Sequence, residues 1–201
     1  MKKCALLILY SALTTCLFCS LALAQVEIDE KKVNLGKKKH YEAGMREYGI
    51  SGGVGYADED EVITDFIVMP KMGLILADFD GPVPGAVEMD MELMGGMFWR
   101  PERAAEGAFN LLFTYNFETG TKFVPFFSAG AGAYWTNLDV NELGSRWNGS
   151  PQGGLGVKYF LNDRVNLSVM GRIRHISNAG TASPNRGVDS MFILFGINFL
   201  R

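Results

Sequence analysis

The chain has 201 residues, of which 48% are hydrophobic, 12% aromatic and 20% charged, with 24 glycines and a formal net charge of −3. That length suits one domain and is enough to close a barrel or a single sandwich. The slight acidic balance leaves no basic footprint for nucleic acid.

Lys2 and Lys3 precede an apolar run from Ala5 to Leu23 that closes on Ala22-Leu23-Ala24. This pattern predicts a secretory signal peptide over residues 1–24, cut before Gln25, and hence an exported protein. A lipobox at Leu13-Thr14-Thr15-Cys16 is the lesser reading, because the run stays apolar past Cys16. Cys4, Cys16 and Cys19 are the three cysteines, and all fall inside that segment. The mature chain is therefore expected to hold no disulfide, no Cys-based metal site and no Cys nucleophile. Losing Lys2 and Lys3 moves the net charge from −3 down two units, to −5.

Residues 25–46 are polar and rich in lysine (Lys31, Lys32, Lys37, Lys38, Lys39), with no apolar period. They read as a solvated N-terminal arm, with His40 as one more solvated residue in it. Beyond it no stretch reaches the roughly 18 apolar residues of a spanning helix. The texture there is alternation instead. Met89, Met91, Leu93, Met97 and Trp99 oppose Glu88, Asp90 and Glu92. Phe109, Leu111, Phe113, Tyr115 and Phe117 oppose Ala108, Asn110, Thr114 and Asn116. Met191, Ile193, Phe195, Ile197 and Phe199 oppose Ser190, Gly196 and Asn198. A period of two belongs to strands with one apolar and one polar face.

The expected strands are 47–57, 62–71, 87–100, 107–118, 121–135, 151–161, 164–176 and 188–200, with the 73–86 connection the least defined. Thr119-Gly120 and Asn162-Asp163 mark tight turns. Segments of about ten residues suit tilted membrane strands, and eight is the smallest common outer-membrane count. A soluble sandwich has the same period. Large apolar side chains along whole faces, charges on the opposite faces and an aromatic-alternating last strand favour the membrane. The fold expected over residues 47–201 is therefore all-β, an eight-stranded antiparallel transmembrane β-barrel of the outer membrane. Trp99, Trp135 and Tyr115 near strand ends fit an aromatic girdle.

His175 and Ser177 stand at i and i+2 at the end of the seventh expected strand, so both leave one face, with Cα atoms roughly 6.5–7 Å apart. Val165, Leu167, Val169, Gly171 and Ile173 share that face, the lipid-directed one. Arg172 and Arg174 then point into the lumen, where Glu88, Asp90 and Glu92 are expected to neutralise them. A polar group on the lipid face has no structural partner there, which argues for function. With both termini periplasmic, the seventh strand ends at the cell surface, and the eighth returns beside it with Asp189 as its first outward position. Carboxylate, imidazole and hydroxyl on one exterior patch make a set suited to nucleophilic acyl transfer.

The stretch Arg174-His175-Ile176-Ser177-Asn178-Ala179-Gly180, then Pro184-Asn185 and an acid at Asp189, resembles the active-site signature of the lipid A 3-O-deacylase (PagL-like) family. The likeness is specific over residues 175–199 and architectural upstream. It implies hydrolysis of the ester-linked acyl chain at position 3 of lipid A by an outer-membrane barrel. It implies His175 as catalytic histidine, Ser177 as nucleophile and Asp189 as triad acid, a place where the family usually has Glu. Asn185 and the region of Gly180 match positions that hold the oxyanion, and Asn178 would shape that pocket. Lipopolysaccharide and outer-membrane lipids are the implied partners; family members can form a homodimer, and no metal or cofactor is implied. Two other classes share the sequence features: a non-enzymatic structural barrel, and a phospholipase-like barrel with the same triad.

Arg186 is the better phosphate candidate among the arginines near this signature. The run Asp58-Glu59-Asp60-Glu61 reads as a solvated outer loop, with a divalent-cation site as the lesser reading. Gly52, Gly53, Gly55, Gly130 and Gly132 mark strand bends and close packing, because no helix follows to build a phosphate loop.

Overall fold

The structure, a computed structural model, describes residues 39–201. The signal peptide expected over residues 1–24 and residues 25–38 of the polar arm lie outside the described residues. The strands are β1 (Arg46–Asp58), β2 (Val62–Phe79), β3 (Gly85–Arg100), β4 (Ala104–Phe117), β5 (Phe123–Thr136), β6 (Trp147–Gly149), β7 (Gln152–Phe160), β8 (Val165–Ile176) and β9 (Val188–Leu200). They form one antiparallel sheet that closes where β9 pairs with β1. The described residues contain no helix.

Both β6 and β7 pair with β5 in one register, Ala133 opposite Gly149 and Gly130 opposite Gln152. They fill a single position, so the barrel has eight. The short β6 lies outside the expected strands because the interruption falls at Pro151, which has no N–H for the ladder. β2 and β3 also run longer than expected, leaving only residues 80–84 between them. A register shift between Ile75 and Ala77 lets the pairing continue through the stretch expected to connect them.

Alternation sets the faces, and the faces are inside out. Leu93 is 62% and Ile173 63% exposed, whereas Glu88 is fully buried and Lys158 2% exposed. A soluble sandwich would put the apolar face in its core. A continuous apolar outer wall around a polar lumen is the arrangement that lipid stabilises, since closure also leaves no backbone edge unpaired.

The lumen has a charged middle between two apolar clusters. One cluster gathers Tyr41, Ile75, Val124 and Phe160. The other gathers Ile63, Phe98, Tyr134, Ile176, Val188 and Phe192. Arg172 forks onto Glu92 at 2.7 and 2.8 Å. Arg174 bonds Glu106 at 2.9 Å and Asp65 at 3.3 Å. Of the three acids expected to neutralise these arginines, only Glu92 does so. Glu88 and Asp90 pair instead with Lys71, and Glu88 also with Lys158. Lys71 lies on the adjacent strand, opposite Glu92 in register, so it meets these acids before an arginine from across the lumen can.

His40 departs from its expected solvation. It is 4% exposed, stacks on Phe160 with ring centroids 4.0 Å apart, and places Nδ1 3.0 Å from Glu118 Oε2. The other Glu118 oxygen accepts from the His40 and Tyr41 N–H groups. Both ends of the barrel chain share this side with the short connections 80–84, 118–122 and 161–164. The opposite side carries 59–61, 101–103 and the two longer connections, 137–146 and 177–187. In outer-membrane barrels the longer loops are extracellular.

Candidate active site

His175 and Asp189 are direct partners across β8 and β9. The His175 N–H donates to Pro151 O, toward β7, at 2.9 Å. On the β9 side the two residues therefore form a non-hydrogen-bonded pair, the kind whose side chains lie closest. His175 Nδ1 is 2.7 Å from Asp189 Oδ1, so even the short aspartate reaches. Both side chains are on the outer wall, 40% and 80% exposed. Ser177 is the next outward position, just past the end of β8. Its backbone exchanges two bonds with Gly149, at 2.8 and 3.1 Å. The inward residues on either side of His175, Arg174 and Ile176, are buried. The imidazole and carboxylate are thus in contact, and Ser177 follows two positions further along the same face, held by its backbone bonds to Gly149.

Gly187 joins the site without a motif to mark it. It has φ +77°, and a Cβ there would lie 2.5 Å from His175 Cε1 and 3.0 Å from Nε2. Only glycine leaves the imidazole its place. A glycine directly before a strand is the one signal the sequence offers, and it is shared by many turns.

The 177–187 connection is organised by Asn178, 4% exposed. Its Oδ1 accepts from Gly180 N at 3.0 Å and Ala182 N at 3.4 Å, and its Nδ2 donates to Pro184 O at 3.3 Å. Ala179 and Gly180 both have positive φ, 53° and 79°, and form the turn that these bonds close. Asn185 Oδ1 accepts from Asn178 N at 2.8 Å. The Asn185 carbonyl is thus used in the loop, while among the described residues its amide hydrogens meet no acceptor. The Gly180 N–H, by contrast, is already engaged by Asn178.

Three outer connections are tied together around Glu142, 2% exposed. Its carbonyl accepts from Arg186 N at 3.1 Å and Gly187 N at 3.3 Å. Its Oε1 accepts from Asp60 N at 3.2 Å. Arg186, the better phosphate candidate among the arginines near the signature, grips Asp60 in a fork at 2.6 and 3.0 Å. The Asp60 carboxylate raises the Arg186 pKa further above its ordinary high value, so the latch stays charged. Glu59 Oε1 accepts from Asp189 N at 3.0 Å. The acidic run therefore serves as a clasp, and among the described residues no cluster of three or more His, Cys, Asp or Glu is arranged to hold a metal.

The family model of lipid A 3-O-deacylase (PagL) matches residues 86–198. The chain belongs to the PagL family. Its fold agrees with the crystal structure of the outer-membrane enzyme PagL, at 22% identity and TM-score 0.60, over 74% of this chain and 97% of that one. Neisserial surface protein A is also similar, at 14% identity and TM-score 0.62, over 78% of this chain and 97% of that one. So is the N-terminal β-barrel domain of Pseudomonas aeruginosa OprF, at 16% identity and TM-score 0.54, over 80% of this chain and all of that one. A comparison with curated proteins returns no match. This PagL-family chain is an outer-membrane β-barrel of eight strand positions.

Proposed function

We propose that this PagL-family barrel is a serine esterase that removes the 3-O acyl chain of lipid A at the outer leaflet, after export by the signal peptide over residues 1–24. The observation that carries the reading is the 2.7 Å contact of His175 Nδ1 with Asp189 Oδ1 on the outer wall. That contact leaves Nε2 to serve Ser177 on the same face.

The Asp189 carboxylate holds the imidazole with Nδ1 protonated. Nε2 takes the Ser177 proton as Oγ attacks the ester carbonyl, and a tetrahedral oxyanion forms. The Asn185 amide hydrogens meet it as donors, beside the turn built by Asn178 and Gly180. Collapse breaks the bond to the sugar 3-oxygen, which leaves with the proton from Nε2. Water then attacks the acyl-Ser177 ester, gives its proton to Nε2, and the fatty acid departs as the Ser177 hydroxyl is restored. The chemistry needs no metal or cofactor.

Purified protein in detergent, assayed on lipopolysaccharide and on phospholipid, tests this. Release of a 3-hydroxy fatty acid from lipopolysaccharide alone is expected. Ser177→Ala and His175→Ala should abolish it, and Asn185→Ala should slow it by about 10²–10³, the usual worth of an oxyanion donor. Release from phospholipid alone would make it a phospholipase-like barrel, and release from neither a structural one. Undiminished release by Ser177→Ala would remove the nucleophile assignment.

A further inference from the structure

We propose that Glu59 is a positioning residue for the triad acid Asp189, a proposal that rests on the triad reading above. The Asp189 side chain is 80% exposed, and among the described residues His175 is its carboxylate's one hydrogen-bond partner. No packing holds it toward the imidazole, so its aim depends on its backbone. That backbone sits where the sheet runs out. The last β1–β9 pair is Tyr56 with Met191. Asp189 pairs with β8 through a non-hydrogen-bonded position, so its N–H faces away from β8, beyond the end of the β1 ladder. Glu59 fills the gap, with Oε1 3.0 Å from Asp189 N. A side-chain carboxylate takes the role that a further β1 carbonyl would play.

Glu59 is itself held. The next residue, Asp60, is bonded through its N–H to Glu142 and through its carboxylate to Arg186. Glu142 also accepts from Gly187, the residue against the other side of the imidazole. The clasp therefore sets both walls of the His175 site, and Glu59 is its link to the acid. The bond is charge-assisted and made at a strand end, where one lost bond lets the terminal residue fray.

The test is steady-state deacylation of lipopolysaccharide by the full chain in detergent. Glu59→Ala should lower kcat about tenfold, the scale of one charge-assisted hydrogen bond, with KM changed less than twofold. Glu59→Gln keeps a carbonyl acceptor and should restore most of the rate. In an Asp189→Asn background, Glu59→Ala should add nothing. Hydrogen exchange of the 188–192 segment should rise in Glu59→Ala and stay near wild type in Glu59→Gln, a readout that does not require activity. Wild-type kcat in Glu59→Ala would overturn the proposal, as would the same fold-loss in both backgrounds or a Gln variant as slow as Ala. If His175→Ala retains activity, the triad reading fails; if it is inactive while Glu59→Ala is fully active, only the role of Glu59 fails.

Discussion

Gly187 and Asp189 lie on either side of one imidazole, and each tolerates little change for a different reason. Alanine at Gly187 meets both a positive φ and a contact of 2.5 Å with the ring. Alanine at Gly180 meets only the φ of +79°, with nothing within 4 Å, and alanine at Gly95 meets neither obstacle. Deacylation should therefore fall by about 10² in Gly187→Ala, as expected for a displacement near 1 Å. It should fall less in Gly180→Ala and stay unchanged in Gly95→Ala, with heat-shifted electrophoretic mobility reporting an intact barrel throughout. Equal rates in the Gly187 and Gly95 variants would show that the ring contact is immaterial. Asp189→Asn should cost up to about 10⁴, because an amide can favour the wrong tautomer. Its hydrolysis rate beside that of Asp189→Glu, which restores the usual family residue, checks this.

Each strand is asked to satisfy two solvents, and β8 shows how. Its outward side chains run from Val165 to His175, while Arg172 and Arg174 turn inward to bury two cations. Removing one partner of a buried pair is costlier than replacing both. Arg172→Ala strands Glu92 in the lumen and should destabilise the barrel by about 3–5 kcal/mol. The double change Arg172→Met with Glu92→Met should cost far less. Urea unfolding in lipid vesicles measures both, and similar losses for the two would show that the pair has no special dependence on its charges.

The whole molecule places the His175–Asp189 pair, and with it the proposed site, on the wall rather than in a cavity. That arrangement suits a substrate that already lies in the membrane plane. It also predicts that the wall must stay apolar below the site. Leu111→Arg, near the middle of β4, should cost about 2–4 kcal/mol in bilayer unfolding if that position lies at the midplane. A neutral result would mean that this part of the wall does not face hydrocarbon.

The alternation of Phe109 with Asn110, or of Ile173 with Arg174, is enough to specify strands and which residues share a face, because side-chain direction along a strand depends only on parity. The inside-out class rests on the large apolar side chains along whole faces with charges opposite them. Parity likewise puts His175, Ser177 and Asp189 on one face, and the signature around them points to the family. It says nothing of partners on neighbouring strands or across the lumen, so it misses Lys71 and Lys158 and gives Glu88 and Asp90 the wrong cations. Nor does it find Glu59, Glu142 or the burial of His40. Closing the sheet decides those contacts. It brings residues as far as 130 positions apart in the chain into hydrogen-bond range, and no local period encodes which of them will meet.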